Sequence, residues 1–325
     1  LVDAFRFNLV LEVFQCRSFS RGDFMRDKEI SVLHCLRRAE KSEQSLNFLS
    51  SIVHRKRGKI DLLYVQEVLS DIVDEARREY AEKQREQVKE IDSEEVISEA
   101  KKKLRKLLPE FSVKALETSG DPVEEILYFL QQRAYDLLSL EAYGRGGFRK
   151  NLLGAHVNKI VRSSSIPTLI HKGEAANCER LLVHVPSDKK RCIRLVKYLS
   201  KLFKGLDLSI TFLVVLSEEN EKFEGYFSCE EEFLEKSMEN YALEEIDYLE
   251  TAEEIISDQG VEIAVQGRIG QLPAEILSEA KEGRYDLLAF FPKKPNVLES
   301  LWSGDESLRL MRDVDISILR YYENT

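Results

Sequence analysis

Residues 136–172 have the sequence DLLSLEAYGRGGFRKNLLGAHVNKIVRSSSIPTLIHK. The apolar run at 136–140 is typical of a buried parallel strand, and a glycine-rich turn follows it at 144–147. A helical pattern comes next, and Pro167 separates it from a second apolar strand at 168–170. A strand, a glycine-rich loop, a helix and a strand in this order predict a βαβ unit with a candidate anion site at the helix N-terminus.

The chain repeats itself at an offset of 150 residues. Gly120 falls on Gly270, and the sequence Tyr-Asp-Leu-Leu occurs both at 135–138 and at 285–288. Matches in constant register along a chain of 325 residues indicate a tandem duplication, because chance would supply only isolated ones. We interpret the stretch 171–177 as the seam between the two copies.

Each copy alternates predicted strands and helices, which predicts a parallel sheet wound on both faces. The first copy has predicted strands at 30–36, 60–65, 111–116, 136–140 and 168–170, and helices that include 42–53, 72–108 and 121–132. The second has predicted strands at 181–185, 210–216, 261–265, 286–291 and 316–320, helices at 191–203 and 273–280, and an acidic helical stretch within 217–260. Asp121 is the predicted N-cap of its helix, with Pro122 at the first helical position.

The glycine-rich stretch resembles the C-terminal signature of the universal stress protein family, whose nucleotide-binding members carry Gly-x2-Gly-x9-Gly-Ser/Thr at this place. Gly144 and Gly154 match the second and third glycines of that signature. Glu141 stands at the first glycine and Ala155 at the hydroxyl residue. The resemblance therefore supports the fold more strongly than it supports nucleotide binding.

The resemblance implies an α/β protein with two tandem, doubly wound, parallel five-stranded sheets, each with strand order 3-2-1-4-5. It extends over about residues 26–322. The expected organisation is an N-terminal extension at 1–25, a first domain at 26–173 and a second, degenerate domain at 178–322.

By the same resemblance, ATP or another nucleotide is expected in the first domain only. The candidate binding residues are Leu36 and Arg37 after the first strand, Gly144, Arg145, Gly146 and Gly147 in the loop, and Gly154 and Ala155 at the helix start. Glycines allow backbone N–H groups to approach an anion closely. Two features oppose binding: the aspartate that ATP-binding members carry after the first strand is absent, and Glu141 would repel phosphate. A weakened anion site and a solvated glycine-rich turn both remain open.

The second copy has lost the loop. The stretch Pro-Lys-Lys-Pro at 292–295 stands where the family places its first two glycines, and proline has no N–H to donate to a phosphate. Only Gly304 remains of the signature, so no nucleotide is expected in the second domain.

Composition argues against several classes of function. A net charge of −10 argues against a general nucleic-acid binder, and no apolar run approaches the ~20 residues of a membrane span. The five cysteines form no CxxC pair, which favours reduced thiols and a cytoplasmic location. His34 and His184 occupy equivalent strand positions, and we expect hydrogen-bonded core histidines rather than metal ligands. No catalytic or metal-binding set is evident.

The chain is therefore expected to be a non-catalytic binding or regulatory module. Its two domains would form an intramolecular pseudo-dimer, with a homodimer or a protein partner in addition. An alternative is a soluble regulatory unit of a membrane transporter or antiporter, which is motivated by the partly apolar residues 1–24. An adenylyl-transferring enzyme is a third alternative, although no catalytic residues accompany the loop.

Overall fold

Contacts between residues divide the described part of the chain into two compact units. The computed structural model describes residues 29–36, 39–67, 93–142, 154–186, 189–216, 261–292 and 303–322. We call Glu29–Ala176 the first unit and Asn177–Tyr321 the second unit. The predicted helical stretch within 217–260 and residues 72–92 of the predicted helix 72–108 lie outside the described residues.

The first unit is a parallel sheet with the predicted strand order. Its elements are β1 Ile30–Leu36, α1 Ala39–Val53, β2 Gly58–Glu67, α2 Ser93–Leu107, β3 Phe111–Gly120, α3 Pro122–Gln132, β4 Leu137–Glu141, α4 Ala155–Ser163 and β5 Thr168–His171. The strands are ordered β3-β2-β1-β4-β5, and the paired neighbours run parallel. The expected order 3-2-1-4-5 is confirmed.

The second unit has the same topology. Its elements are β6 Arg180–His184, α5 Lys189–Phe203, β7 Ser209–Leu216, β8 Glu262–Ile269, α6 Leu272–Glu282, β9 Leu287–Phe290, α7 Ser303–Asp313 and β10 Ser317–Arg320. Its strands follow the order β10-β9-β6-β7-β8, again with parallel neighbours. Counted within the unit, this is the order 3-2-1-4-5 read from the opposite edge.

The offset of 150 residues relates whole elements of the two units as well as single residues. Helix α1 and helix α5 have the same bounds once 150 is added, and so do α3 and α6. Gly120 and Gly270 share a positive φ, 152° and 145°. Asp136 accepts a hydrogen bond from the backbone N–H of Ser31, and Asp286 likewise accepts from the N–H of Arg180, both at 2.9 Å. Equivalent carboxylates thus fasten the start of the first strand in each unit.

Apolar side chains of the strands and helices form the core. In the first unit, the helix α1 residues predicted to share an apolar side, Leu46, Leu49 and Val53, are all buried. The buried strand residues include Val32, Leu33, Ile60, Leu62, Leu63, Leu137 and Leu138. Strands that are apolar at consecutive positions are typical of parallel sheets covered on both faces.

The structure corrects several predicted bounds. Strand β3 continues to Gly120 instead of ending at 116, and its exposed end still pairs with β2 up to Glu67. Backbone hydrogen bonds hold that end, so the apolar pattern did not reveal it. Helix α1 begins at Ala39 rather than at 42, and β4 includes Glu141. Within the described residues, no helix has both the length and the apolar composition to cross a membrane.

Candidate functional site

The first unit has one point where the strand order reverses, between β1 and β4. In a doubly wound sheet, ligands bind outside the carboxyl ends of the strands at this switch point. Leu36 ends β1 and Glu141 ends β4. The candidate site therefore lies next to these two residues and to the start of α4, which follows β4 in the chain.

The predicted site residues are described only in part. Leu36 is buried at the end of β1, with an apolar side chain that can only pack against a ligand. Gly154 and Ala155 lie at the start of α4. Arg37, Gly144, Arg145, Gly146 and Gly147 lie outside the described residues, so their role stays a prediction.

Gly154 is the N-cap residue of α4, with φ −60° and ψ 150°. Glycine has no side chain, so this residue does not cap the free N–H groups of the first turn. A Cβ atom added here would meet nothing within 4 Å, and the first turn carries no acidic residue. A helix N-terminus with glycine at its N-cap and no acidic residue in its first turn is suited to an anion such as phosphate.

Glu141 faces the interior of the unit. Its side chain is only 3% exposed, and its Oε1 accepts a hydrogen bond of 2.5 Å from the Ser45 hydroxyl of α1. The carboxylate is therefore held beneath α1. Burial first, and the Glu141 charge second, raise the pKa of the Cys35 thiol, so this cysteine is not a reactive thiolate.

Two histidines are buried on the α1 side of the same sheet. His34 Nδ1 lies 2.9 Å from the Ser139 hydroxyl, with which it shares a hydrogen bond between β1 and β4. Burial, and then the neighbouring His171, lower the pKa of His34 to about 3. Burial lowers the pKa of His171 to about 4, and its ring lies 5.2 Å from that of Phe48. The prediction that His34 is a hydrogen-bonded core histidine is confirmed.

The His34–Ser139 pair has the spacing of a nucleophile and its base, but it cannot act as one in this fold. Both side chains are at most 1% exposed, which leaves no approach for a substrate. A general base works best with a pKa near the working pH, and that of His34 is far below it. Among the described residues, no group of three or more His, Cys, Asp or Glu side chains is arranged to hold a metal ion.

The second unit differs at the equivalent position. Phe291 and Pro292 follow β9 where the first unit has Glu141 and Ala142. Arg191 of α5 donates hydrogen bonds to the carbonyl oxygens of both residues. Sequence reasoning missed Arg191, because 100 residues separate it from Phe291 and nothing in its local pattern marks it.

Comparison with known proteins agrees with this fold. The model of the universal stress protein family matches residues 31–172. A universal stress protein structure from Archaeoglobus fulgidus DSM 4304 is 20% identical, with a TM-score of 0.61, and the match covers 92% of this chain and 98% of that one. A functionally unknown protein from Pseudomonas aeruginosa PAO1 is 12% identical, with a TM-score of 0.58, covering 91% and 94%.

The likeness to these solved structures shows a shared fold across both units, because it covers most of this chain. No curated protein sequence matches the chain. Residues 31–172 thus match the universal stress protein family, and the fold of both units is that of the solved structures above.

Proposed function

We propose that this protein is a cytoplasmic, non-catalytic regulatory module that binds ATP or a related nucleotide through its first unit. The observation that carries the proposal is the start of α4. Gly154 leaves the helix N-terminus without a side-chain cap, at the carboxyl edge of the sheet where the strand order reverses.

The placement of Glu141 supports the proposal. From the sequence, a carboxylate at the first glycine position was expected to repel phosphate. In the structure, that carboxylate is buried and paired with Ser45, so protein surrounds its charge at the end of β4. The predicted contributions of Gly144, Gly146 and Gly147, as N–H donors, and of Arg145, as a cation, complete the proposed site.

The chemistry of the buried groups supports a binding role rather than a catalytic one. His34 and His171 are neutral at physiological pH, since burial lowers the pKa of each far below 6.5. Burial raises the pKa of the Cys35 thiol, which keeps it protonated. None of these groups is poised for proton transfer or nucleophilic attack near pH 7.

Calorimetric titration of the full chain with ATP tests the proposal. We expect saturable binding at millimolar nucleotide or below, with a single site per chain. Gly154→Asp places a carboxylate at the N-cap, where it caps the free N–H groups and repels phosphate. We expect this variant to bind ATP at least about tenfold more weakly, a loss of about 1.4 kcal/mol. Its unfolding temperature should be unchanged or higher, because aspartate is a favourable N-cap.

Gly154→Ala is the matched control. Its added Cβ meets nothing within 4 Å and carries no charge, so ATP affinity should stay close to that of the wild type. Absence of binding to the wild type at millimolar ATP would remove the nucleotide from the proposal. Equal ATP affinity in the aspartate and alanine variants would show that the nucleotide binds elsewhere.

A further inference from the structure

Arg191 makes three contacts with the residues that directly follow β9. Its Nη2 donates to the Phe291 carbonyl oxygen at 3.0 Å and also to the Pro292 carbonyl oxygen. Its guanidinium carbon lies 4.4 Å from the centre of the Phe291 ring. Two carbonyl acceptors and one aromatic face thus converge on a single planar cation, which is the environment that a guanidinium group prefers.

These contacts lie at the strand-order reversal of the second unit. There the order reverses between β6 and β9, and Arg191 belongs to the first turn of α5, the helix that follows β6. Arg191 therefore joins the chain leaving β6 to the chain leaving β9. In doubly wound sheets, this is the position at which a ligand binds.

The polarity of this position suits a cation. The carbonyl oxygens of Phe291 and Pro292 and the face of the aromatic ring all carry partial negative charge. Pro292 has no N–H that could be offered to an anion. In the first unit, the residue equivalent to Phe291 is Glu141, which is held by Ser45 instead.

We propose that the end of β9 is a guanidinium-binding cradle, formed by the Phe291 and Pro292 carbonyl oxygens and the Phe291 ring, which Arg191 fills as a built-in ligand. The second unit therefore holds the start of α5 against the end of β9 without a bound small molecule. This cradle binds a planar cation rather than a phosphate.

Chemical rescue of Arg191→Ala in the full chain tests this proposal. Removing the side chain empties the cradle, and we expect the unfolding temperature to fall by about 5 °C through loss of the hydrogen bonds and the cation–π contact. Guanidinium chloride at low millimolar concentration, far below the denaturing range, should restore at least half of that loss. Sodium chloride controls for ionic strength, and urea is a neutral, planar molecule of similar size.

Arg194→Ala is the matched control. Arg194 lies on the same helix with its guanidinium carbon 5.8 Å from the Phe291 ring centre, and its Nε donates to the Lys190 carbonyl oxygen within α5. We expect a smaller loss of stability in this variant and no response to guanidinium. Arg191→Gln serves as a milder second variant should the alanine variant fail to fold, and guanidinium should raise its unfolding temperature as well.

Adding ATP distinguishes a cradle that binds cations from an anion site that the Arg191 side chain blocks. ATP bound to the first unit should raise the unfolding temperature equally in the wild type and in the Arg191 variants. The difference between their ATP-induced shifts therefore reports on the second unit alone. We expect that difference to be zero. A larger ATP effect in the Arg191 variants would overturn the proposal, and so would equal rescue by guanidinium, urea and sodium chloride. Equal stability loss in Arg191→Ala and Arg194→Ala would overturn it too.

Discussion

A buried imidazole makes the stability of this fold depend on pH. His34 is fully buried, and among the described residues its Nε2 atom has no hydrogen-bond partner, so a proton added there would be a charge without compensation. The folded pKa of about 3 lies below the ordinary value of 6.5. The unfolded chain therefore binds this proton first as the pH falls, which removes stability between pH 6.5 and about 3.

Replacing His34 with asparagine should flatten this dependence. Asparagine keeps a group that can hydrogen-bond Ser139 but does not titrate. When the pH is lowered from 7 to 5, protonation of His34 in the unfolded chain reduces the free energy of unfolding of the wild type by about 2 kcal/mol. The limiting slope is about 1.4 kcal/mol per pH unit. Urea unfolding at both pH values should show a difference smaller by this amount in His34→Asn.

His54→Asn is the control for this measurement, because His54 is exposed in the turn after α1 and contacts only a backbone carbonyl oxygen, that of Ser51, among the hydrogen bonds of its ring in the described residues. Its pH difference should equal that of the wild type. If His34→Asn loses as much stability as the wild type on acidification, another group is responsible for the dependence.

At the residue scale, the sequence predicted which side chains are buried better than it predicted which side chains they hydrogen-bond. The burial of His34 followed from its place in an apolar strand. The bond between Glu141 and Ser45 did not, since 96 residues separate the two and only the packing of α1 on β4 brings them together. The sequence places Glu141 at the family's first glycine but says nothing about the direction of its side chain.

At the scale of elements, the two units fasten the same helix to the same strand in different ways. In the second unit, the buried Arg268 of β8 contacts three carboxylates of α6: Glu279 at 2.8 Å, Glu282 at 2.7 Å and Glu275 at 3.5 Å. In the first unit, the residue equivalent to Arg268 is Thr118, which donates to Glu125 at 2.8 Å. The residue equivalent to Glu279 is Phe129. An ionic cluster in the second unit thus takes the place of a single hydrogen bond between Thr118 and Glu125 in the first.

This equivalence predicts that the second unit tolerates the residues that the first unit has at these two positions, threonine at 268 and phenylalanine at 279. Arg268→Thr alone should cost about 3–5 kcal/mol of unfolding free energy, because it leaves the buried Glu279 carboxylate without its arginine. Adding Glu279→Phe removes that carboxylate and should restore stability to within about 1–2 kcal/mol of the wild type. Urea unfolding of the two single variants and the double variant measures the coupling.

Arg312→Thr is the matched control for loss of an arginine. Arg312 pairs with Asp313 at 2.8 Å, but both side chains are nearly half exposed, so the loss should stay below about 1 kcal/mol. A double variant no more stable than Arg268→Thr would mean that the cluster, rather than the buried carboxylate alone, holds β8 to α6.

The existence of the elements could be predicted from the sequence, and so could some of their ends, such as both ends of β1 and the start of α3 at its Asp121 N-cap. Other ends could not. Apolar runs located all the strands that the structure describes, and the alternation with helices gave a parallel sheet. The end of β3 escaped the prediction, because backbone pairing with β2 sets it rather than apolar side chains. Strand order followed from the resemblance and not from composition.

At the scale of the whole molecule, each unit holds a complete five-stranded sheet with its own apolar core. The buried set of the second unit includes Leu181, Leu195, Phe212 and Leu288. We propose that the units are separate domains with the predicted bounds, 26–173 and 178–322. A domain with its own core is expected to unfold cooperatively when expressed alone.

The two separated domains should therefore both fold, yet respond differently to ATP. At a nucleotide concentration ten times the dissociation constant, binding adds about 1.4 kcal/mol, which raises the unfolding temperature of the 26–173 fragment by about 4 °C. The 178–322 fragment should show no shift, because the cradle after β9 faces Arg191 with carbonyl oxygens. Calorimetry of each fragment, with and without ATP, separates the two claims. A first fragment that folds without responding contradicts the nucleotide site alone, whereas a fragment that fails to unfold cooperatively contradicts the domain bounds.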